Sequence, residues 1–171
     1  MKKYWITLLK MFVFLLVLFA TMRIVFLIIY WSLVMLGEIP FGEIIKGFWA
    51  ALPLDVATAS FMLAIPAIYM FVALLVDKDT LFAPLRWYFY LIVAVYNLVA
   101  FGDIGIYGEW RTKLSYRALM YLQNPSEVIN TAETEQTLLL IVLWTFFTIL
   151  FCWLYTKFVE PKELALNREE S

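Results

Sequence analysis

Residues 11–36 read MFVFLLVLFATMRIVFLIIYWSLVML and are apolar almost throughout, with Arg23 and Ser32 as the interruptions. A hydrocarbon core about 30 Å thick is crossed by roughly 20 apolar residues in an α-helix, because backbone polar groups in lipid must bond within their own segment. The stretch is long enough to cross a bilayer. It predicts a first transmembrane helix from about Met11 to Leu36.

Three further segments have a similar length and composition. They run from about Phe48 to Val76, from about Trp87 to Ile106 and from about Thr137 to Val159. We therefore expect an all-α fold, a polytopic membrane helix bundle that forms a single membrane domain over residues 1–171. The predicted extracytoplasmic loop, residues 103–136, carries short interfacial helices, and residues 160–171 form a cytoplasmic tail.

The composition separates this chain from soluble domains. Of its 171 residues, 64% are apolar, 19% are aromatic and 16% are charged, whereas soluble domains average about 45–50% apolar and about 25% charged residues. The net charge is −1 and the basic residues are scattered, which excludes the electrostatic footprint of a nucleic-acid-binding protein. The sequence predicts a lipid environment and no nucleic-acid partner.

Catalytic and metal-binding residue types are scarce. The chain has no histidine, and its single cysteine, Cys152, lies inside an apolar run. Histidine is the commonest general base and metal ligand, and one cysteine cannot form an intramolecular disulfide or a metal-ligand pattern. We therefore expect no catalytic residue and no metal ligand in this chain.

The charges that flank the helices predict the orientation of the protein. Lys2 and Lys3 precede an apolar stretch that is too long for a cleaved signal peptide, so the N-terminus is predicted to be a signal anchor. With the N-terminus inside, Lys and Arg are about twice as frequent on the cytoplasmic side as outside. We expect a multi-pass protein of the bacterial cytoplasmic (inner) membrane, with its N-terminus and its residue-171 end in the cytoplasm.

Arg23 breaks the hydrophobic pattern most strongly. A cation deep in a transmembrane helix costs several kcal/mol unless it is paired or hydrated. At about 1.5 Å per residue, Arg23 lies roughly 20 Å from the cytoplasmic face, and Asp55 lies roughly 10 Å below the outer face on the next helix. These depths coincide and predict an ion pair in the outer half of the bilayer. In the alternative interpretation, Arg23 extends toward the surface and Asp55 begins its helix among the headgroups.

The second predicted helix has packing features on two faces. Small residues recur at steps of three and four, a pattern that lets another helix approach closely. They are Ala57, Ser60, Ala64 and Ala67. Asp55, Ala59, Met62 and Pro66 lie on roughly the opposite face, which places this helix in the middle of the bundle. Pro66 predicts a kink in a packed helix, and the alternative is a broken helix that lines a transport site.

The predicted outer loop contains a helical repeat of aromatic and apolar residues with basic borders. Its lipid-interface residues are Trp110, Arg111, Lys113 and Arg117. One hypothesis is that they bind an anionic phospholipid headgroup. The alternative is an ordinary interfacial helix, because such helices generally prefer basic borders.

Several polar markers together resemble a known family. They are Arg23 in the first helix, GFWAALPLD at residues 47–55, YGEW at 107–110, LSYRALMYL at 114–122 and PSE at 125–127. With them the chain resembles the N-terminal membrane domain of lipoteichoic-acid-synthase-like sulfatases, also called phosphoglycerol transferases. The similarity covers nearly the whole chain.

The resemblance implies five membrane helices followed by an extracytoplasmic catalytic domain with a threonine nucleophile and a divalent metal, usually manganese. This chain has four predicted helices and no residue that matches the nucleophile or the metal ligands. The resemblance therefore implies a membrane anchor that presents a lipid headgroup to a C-terminal catalytic domain absent from this chain. The alternatives are a small transporter or channel component and a membrane scaffold protein.

Overall fold

The computed structural model describes residues 2–36, 40–76, 83–110 and 134–160. Their regular structure is helical, with no strand among them. The helices are α1 (Lys2–Ile29), α2 (Trp31–Met35), α3 (Phe41–Val76), α4 (Ala83–Trp110) and α5 (Thr134–Leu154), and α5 continues into a π-helical turn (Tyr155–Val159). The predicted all-α fold is confirmed.

Four of these helices are long and apolar enough to cross a membrane. The spans are Trp5–Ile29, Phe41–Val72, Pro84–Gly108 and Glu135–Val159. Large apolar side chains on their surfaces point away from the described protein, and Phe61 is 81% exposed. Such surfaces are compatible with surrounding lipid, in agreement with the predicted multi-pass architecture.

α1, α3 and α4 are longer than the predicted apolar segments, but α1 ends at Ile29 rather than Leu36, and α5 ends at Leu154, with a π-helical turn over the remaining residues to Val159. α1 begins at Lys2 rather than near Met11, because a charged residue at a helix end can reach the membrane surface while its backbone stays helical. α3 begins at Phe41, just after Pro40, whose carbonyl oxygen accepts a hydrogen bond from the N–H of Glu43 at 2.9 Å. Hydropathy therefore predicts where the membrane helices lie, whereas the charged residues and hydrogen bonds at their ends determine where they begin.

The C-terminal part of α4 differs most from the prediction. The sequence predicts a helix end near Ile106 and a loop that begins at Asp103, because Gly102, Asp103 and Gly105 weaken the apolar pattern, but α4 continues to Trp110. Phe101 and Ile104 are 2% and 3% exposed, so the buried stripe of α4 extends to Ile104. Packing overrides the low helix propensity of glycine here.

Two compact units make up the chain. Unit 1 comprises Met1–Tyr88 and Trp153–Ser171, and unit 2 comprises Phe89–Cys152. In unit 1, α1 packs against α3. Their buried stripes follow helical spacing. On α1 they are Met11, Phe14, Leu15, Leu18, Phe19 and Met22, and on α3 they are Asp55, Ala59, Leu63, Pro66 and Met70.

Among the described residues, unit 2 contains the remainder of α4 and most of α5. Its two helices run antiparallel, since Asn97 contacts Thr148 whereas Gly105, further along α4, lies against Leu140, earlier in α5. A Cβ atom added to Gly105 would lie 2.8 Å from Leu140 Cδ1. The absence of a side chain at Gly105 therefore permits this close approach.

Candidate functional site

Arg23 and Asp55 form a bidentate ion pair between α1 and α3. Nη1 of Arg23 donates to Oδ2 of Asp55 at 2.6 Å, and Nη2 donates to Oδ1 at 2.5 Å. The side chains are 30% and 12% exposed, respectively. Paired fork geometry of this kind gives the strongest charge-assisted hydrogen bonds. The two charges neutralise each other within the apolar part of unit 1.

The local sequence explains how these side chains meet. Met22, the neighbour of Arg23, closes the buried stripe of α1, and Asp55 opens the buried stripe of α3. Because α1 packs against α3 along these stripes, each charged group lies at the border of an apolar contact. Removing one partner would leave the other charge in a low-dielectric environment, a loss of about 3–5 kcal/mol for buried pairs.

A second polar contact lies at Pro66. Proline has no backbone N–H, so Pro66 cannot bond to the carbonyl oxygen of Met62, four residues earlier. The hydroxyl of Tyr88 on α4 donates to that oxygen at 2.7 Å. The carbonyl oxygen of Met62, which lacks a backbone partner because of Pro66, thus accepts a hydrogen bond from a neighbouring helix. Backbone groups in lipid require such a partner. Sequence reasoning missed Tyr88, although Pro66 identifies Met62 as the acceptor in need of a donor.

Arg86 and Glu160 form a second ion pair in unit 1. Nε of Arg86 is 3.3 Å from Oε1 of Glu160, and the side chains are 19% and 7% exposed. Arg86 lies in the first turn of α4, and Glu160 follows the π-helical turn after α5. The contact joins the start of one span to the end of another. The sequence signal for this pair is the position of both residues in predicted cytoplasmic flanks of the membrane helices.

In unit 2, side-chain hydrogen bonds join α4 to α5. Nδ2 of Asn97 donates to Oγ1 of Thr148 at 3.3 Å, and Nε1 of Trp144 donates to the carbonyl oxygen of Ala94 at 3.0 Å. Asn97 is fully buried, and its Oδ1 has no hydrogen-bond partner among the described residues. Side-chain bonds of this kind hold membrane helices together where lipid offers no competing partner.

The predicted small-residue stripe lies on the exposed face of α3, away from its buried stripe. Ala57, Ser60 and Ala64 are exposed, and Ala67 is half-buried. The hydroxyl of Ser60 donates to the carbonyl oxygen of Val56 at 2.7 Å, within its own helix. The described chain therefore packs the opposite face of α3, and close approach of another helix at this stripe stays a prediction.

The predicted lipid-interface site falls largely outside the described residues. Trp110 ends α4, and the placement of its side chain is not described, while Arg111, Lys113 and Arg117 lie outside the described ranges. Headgroup binding by these four residues stays a prediction.

The described residues do not fit the manganese site that the family resemblance implies for a separate catalytic domain. Residues 2–36, 40–76, 83–110 and 134–160 contain no group of three or more His, Cys, Asp or Glu side chains that could hold a metal ion. Asp55, a carboxylate within an apolar span, is bound to Arg23 through both of its oxygens.

Comparison of the chain with family models, with curated proteins and with solved structures gave no match.

Proposed function

We propose that this chain is the membrane-anchoring, lipid-headgroup-presenting domain of an extracytoplasmic phosphoglycerol transferase or sulfatase-like enzyme. In this role the helices hold a C-terminal catalytic domain at the outer face of the cytoplasmic membrane. The outer loop delivers the headgroup of a bilayer lipid to that domain. The catalytic domain, with its nucleophile and divalent metal, carries out the chemistry.

The observation that carries the proposal is the ion pair within a chain of four membrane-length helices. Arg23 and the GFWAALPLD segment that ends at Asp55 are two of the markers on which the family resemblance rests, and their charged side chains meet in the bidentate contact between α1 and α3. The contact joins the two marked helices at a fixed register. A fixed register suits an anchor, because the membrane helices of an anchor must keep a constant arrangement.

The size of the native polypeptide tests this proposal. An antibody raised against residues 111–133 should detect, in membranes of the source cells, a polypeptide much larger than the 20.1 kDa of this chain. That polypeptide should release glycerol phosphate or sulfate from a labelled lipid or ester in a metal-dependent reaction. A band near 20.1 kDa alone, with no hydrolase or transferase copurifying, would contradict the proposal.

Transport is the main alternative, and the contact at Pro66 weighs against it. In transporters with broken helices, freed backbone carbonyls coordinate the substrate or ion. Here the carbonyl oxygen of Met62 accepts the Tyr88 hydroxyl at 2.7 Å, so it is already occupied. Substrate flux in reconstituted vesicles that is abolished by Arg23→Ala, in protein that stays folded, would instead favour transport.

A further inference from the structure

At the end of α5, a lysine lies between exposed aromatic rings. Nζ of Lys157 is 4.7 Å from the ring centroid of Trp153 and 5.6 Å from that of Phe158. These rings are 53% and 60% exposed. Aromatic side chains of this kind collect at the membrane–water boundary, where the apolar body contacts acyl chains and a neighbouring lysine reaches headgroups.

The nearest acid in the sequence does not neutralise Lys157. Glu160 lies three residues further on, a spacing that makes side chains neighbours on a helix, but its carboxylate pairs with Arg86 at 3.3 Å. The N–H of Glu160 donates to the carbonyl oxygen of Tyr155 at 3.0 Å and closes the π-helical turn. Glu160 then adopts a ψ of 130°, and the chain leaves the helix. In the described part of the chain, Lys157 has ring contacts and no carboxylate within 4.0 Å.

Other residues at this end of unit 1 belong to the same boundary. Tyr155 packs on Phe14 of α1 with a ring-centroid distance of 5.5 Å, and the exposed Lys10 lies one helical turn before Phe14. Trp5 and Trp87 are 73% and 71% exposed. Since Arg86 is paired with Glu160, Lys10 and Lys157 leave this end with excess positive charge among the described residues.

We propose that Lys157, together with Trp153 and Phe158, binds the phosphate of an anionic phospholipid in the leaflet at this end of the protein. The ammonium donates to the phosphate oxygens, and the two rings contact the glycerol and upper acyl region of the same lipid. Free phosphate has no apolar part with which to contact the rings, so the occupant is a lipid. The site shares no residue with the predicted lipid-interface site of Trp110, Arg111, Lys113 and Arg117.

Native mass spectrometry of the detergent-purified chain tests this site. The chain is titrated with phosphatidic acid and, separately, with phosphatidylcholine. We expect the first phosphatidic acid to bind more tightly than phosphatidylcholine, and Lys157→Gln to weaken its binding about fivefold, the contribution of one lysine near an anionic surface. Lys157→Arg, which keeps the charge, should retain the affinity. Inorganic phosphate at millimolar concentration should not displace the lipid.

Lys46→Gln provides the matched control, because Lys46 is an exposed lysine of unit 1 near the start of α3. It should leave phosphatidic acid binding unchanged. An equal loss in Lys46→Gln and Lys157→Gln would show a general charge effect and overturn the site, as would unchanged binding in Lys157→Gln or displacement by inorganic phosphate. If Lys157→Gln does not fold, Trp153→Leu replaces it. Trp153→Leu should weaken phosphatidic acid binding about twofold, and an unchanged affinity would count against the proposal.

Discussion

Either Arg23 or Asp55 alone would place an unpaired charge in an apolar span. Together they form an ion pair that the span can accommodate. Each charge lies in an apolar span, and each finds its partner through two hydrogen bonds of 2.5 and 2.6 Å. An isolated cation at this depth would need water or distortion of the bilayer. The pair thus specifies which faces of α1 and α3 meet, because any other rotation of either helix would separate the charges.

A double-mutant cycle measures this coupling. Arg23→Ala and Asp55→Ala should each lower the free energy of unfolding by about 3 kcal/mol, because each leaves an unpaired charge in an apolar span. The double variant should be no less stable than either single variant. Unfolding of the detergent-solubilised protein by sodium dodecyl sulfate gives the three values. Losses that simply add would show that the two side chains act independently.

The sequence was informative about this pair because depth in a membrane helix can be counted from residue number. Two charges at equal depth on adjacent antiparallel helices are natural partners, and the structure brings Arg23 and Asp55 together. The depth argument does not extend to Tyr88, since a hydroxyl is common near helix ends and its partner is a backbone atom. Identifying the Tyr88 bond requires knowing which side of α3 faces α4.

At the scale of the helix, α3 contains two prolines and stays continuous from Phe41 to Val76. A proline leaves one carbonyl oxygen of the helix without its N–H partner. In lipid, a hydrogen-bond donor from outside the helix must bond to that oxygen if the helix is to continue without an unsatisfied group. At Pro66 that donor is the Tyr88 hydroxyl. The Tyr88 side chain of α4 therefore replaces one backbone hydrogen bond of α3.

Tyr88→Phe should destabilise the protein by about 1 kcal/mol, the usual scale for one hydrogen bond between membrane helices. In a Pro66→Ala background the restored N–H can bond to Met62, and the same change should cost clearly less. Denaturation in detergent reports both values. Tyr69→Phe is the control, since this half-buried tyrosine of α3 makes no hydrogen bond among the described residues. An equal cost of Tyr88→Phe in both backgrounds would refute the link to Pro66.

The extent of α4 was the least predictable feature at this scale. Two glycines and an aspartate within four residues predict a helix end, yet α4 continues to Trp110. The buried Phe101 and Ile104 and the close contact of Gly105 with Leu140 favour the helix. Contacts with Leu140 involve a distant part of the chain. The hydropathy and helix propensity of residues 102–110 alone therefore cannot predict them.

For the whole molecule, the four-span architecture followed directly from composition, because bilayer thickness sets the length of an apolar helix. The orientation rests on the distribution of Lys and Arg, a weaker signal. It predicts that the lysines before α1 and between α3 and α4 lie in the cytoplasm. The same prediction puts Arg86, Lys157 and Glu160 at the cytoplasmic surface.

Cysteine labelling tests this orientation in a background in which Cys152 is replaced by serine. Lys46→Cys and Lys113→Cys should react with a membrane-impermeant maleimide in intact cells. Lys78→Cys should react only after the membrane is permeabilised, since it lies in a predicted cytoplasmic connection. Labelling of Lys78→Cys but not Lys46→Cys in intact cells would reverse the topology.

The length of α3 has a consequence for the lipid around it. Its candidate membrane span, Phe41–Val72, has 32 residues and extends about 48 Å along the helix axis, and the more apolar part from Phe48 extends about 38 Å, against a hydrocarbon core of about 30 Å. Such a hydrophobic mismatch is relieved by steep tilting, by bending or by local thickening of the bilayer. Membranes of different thickness are therefore expected to impose different tilts on α3.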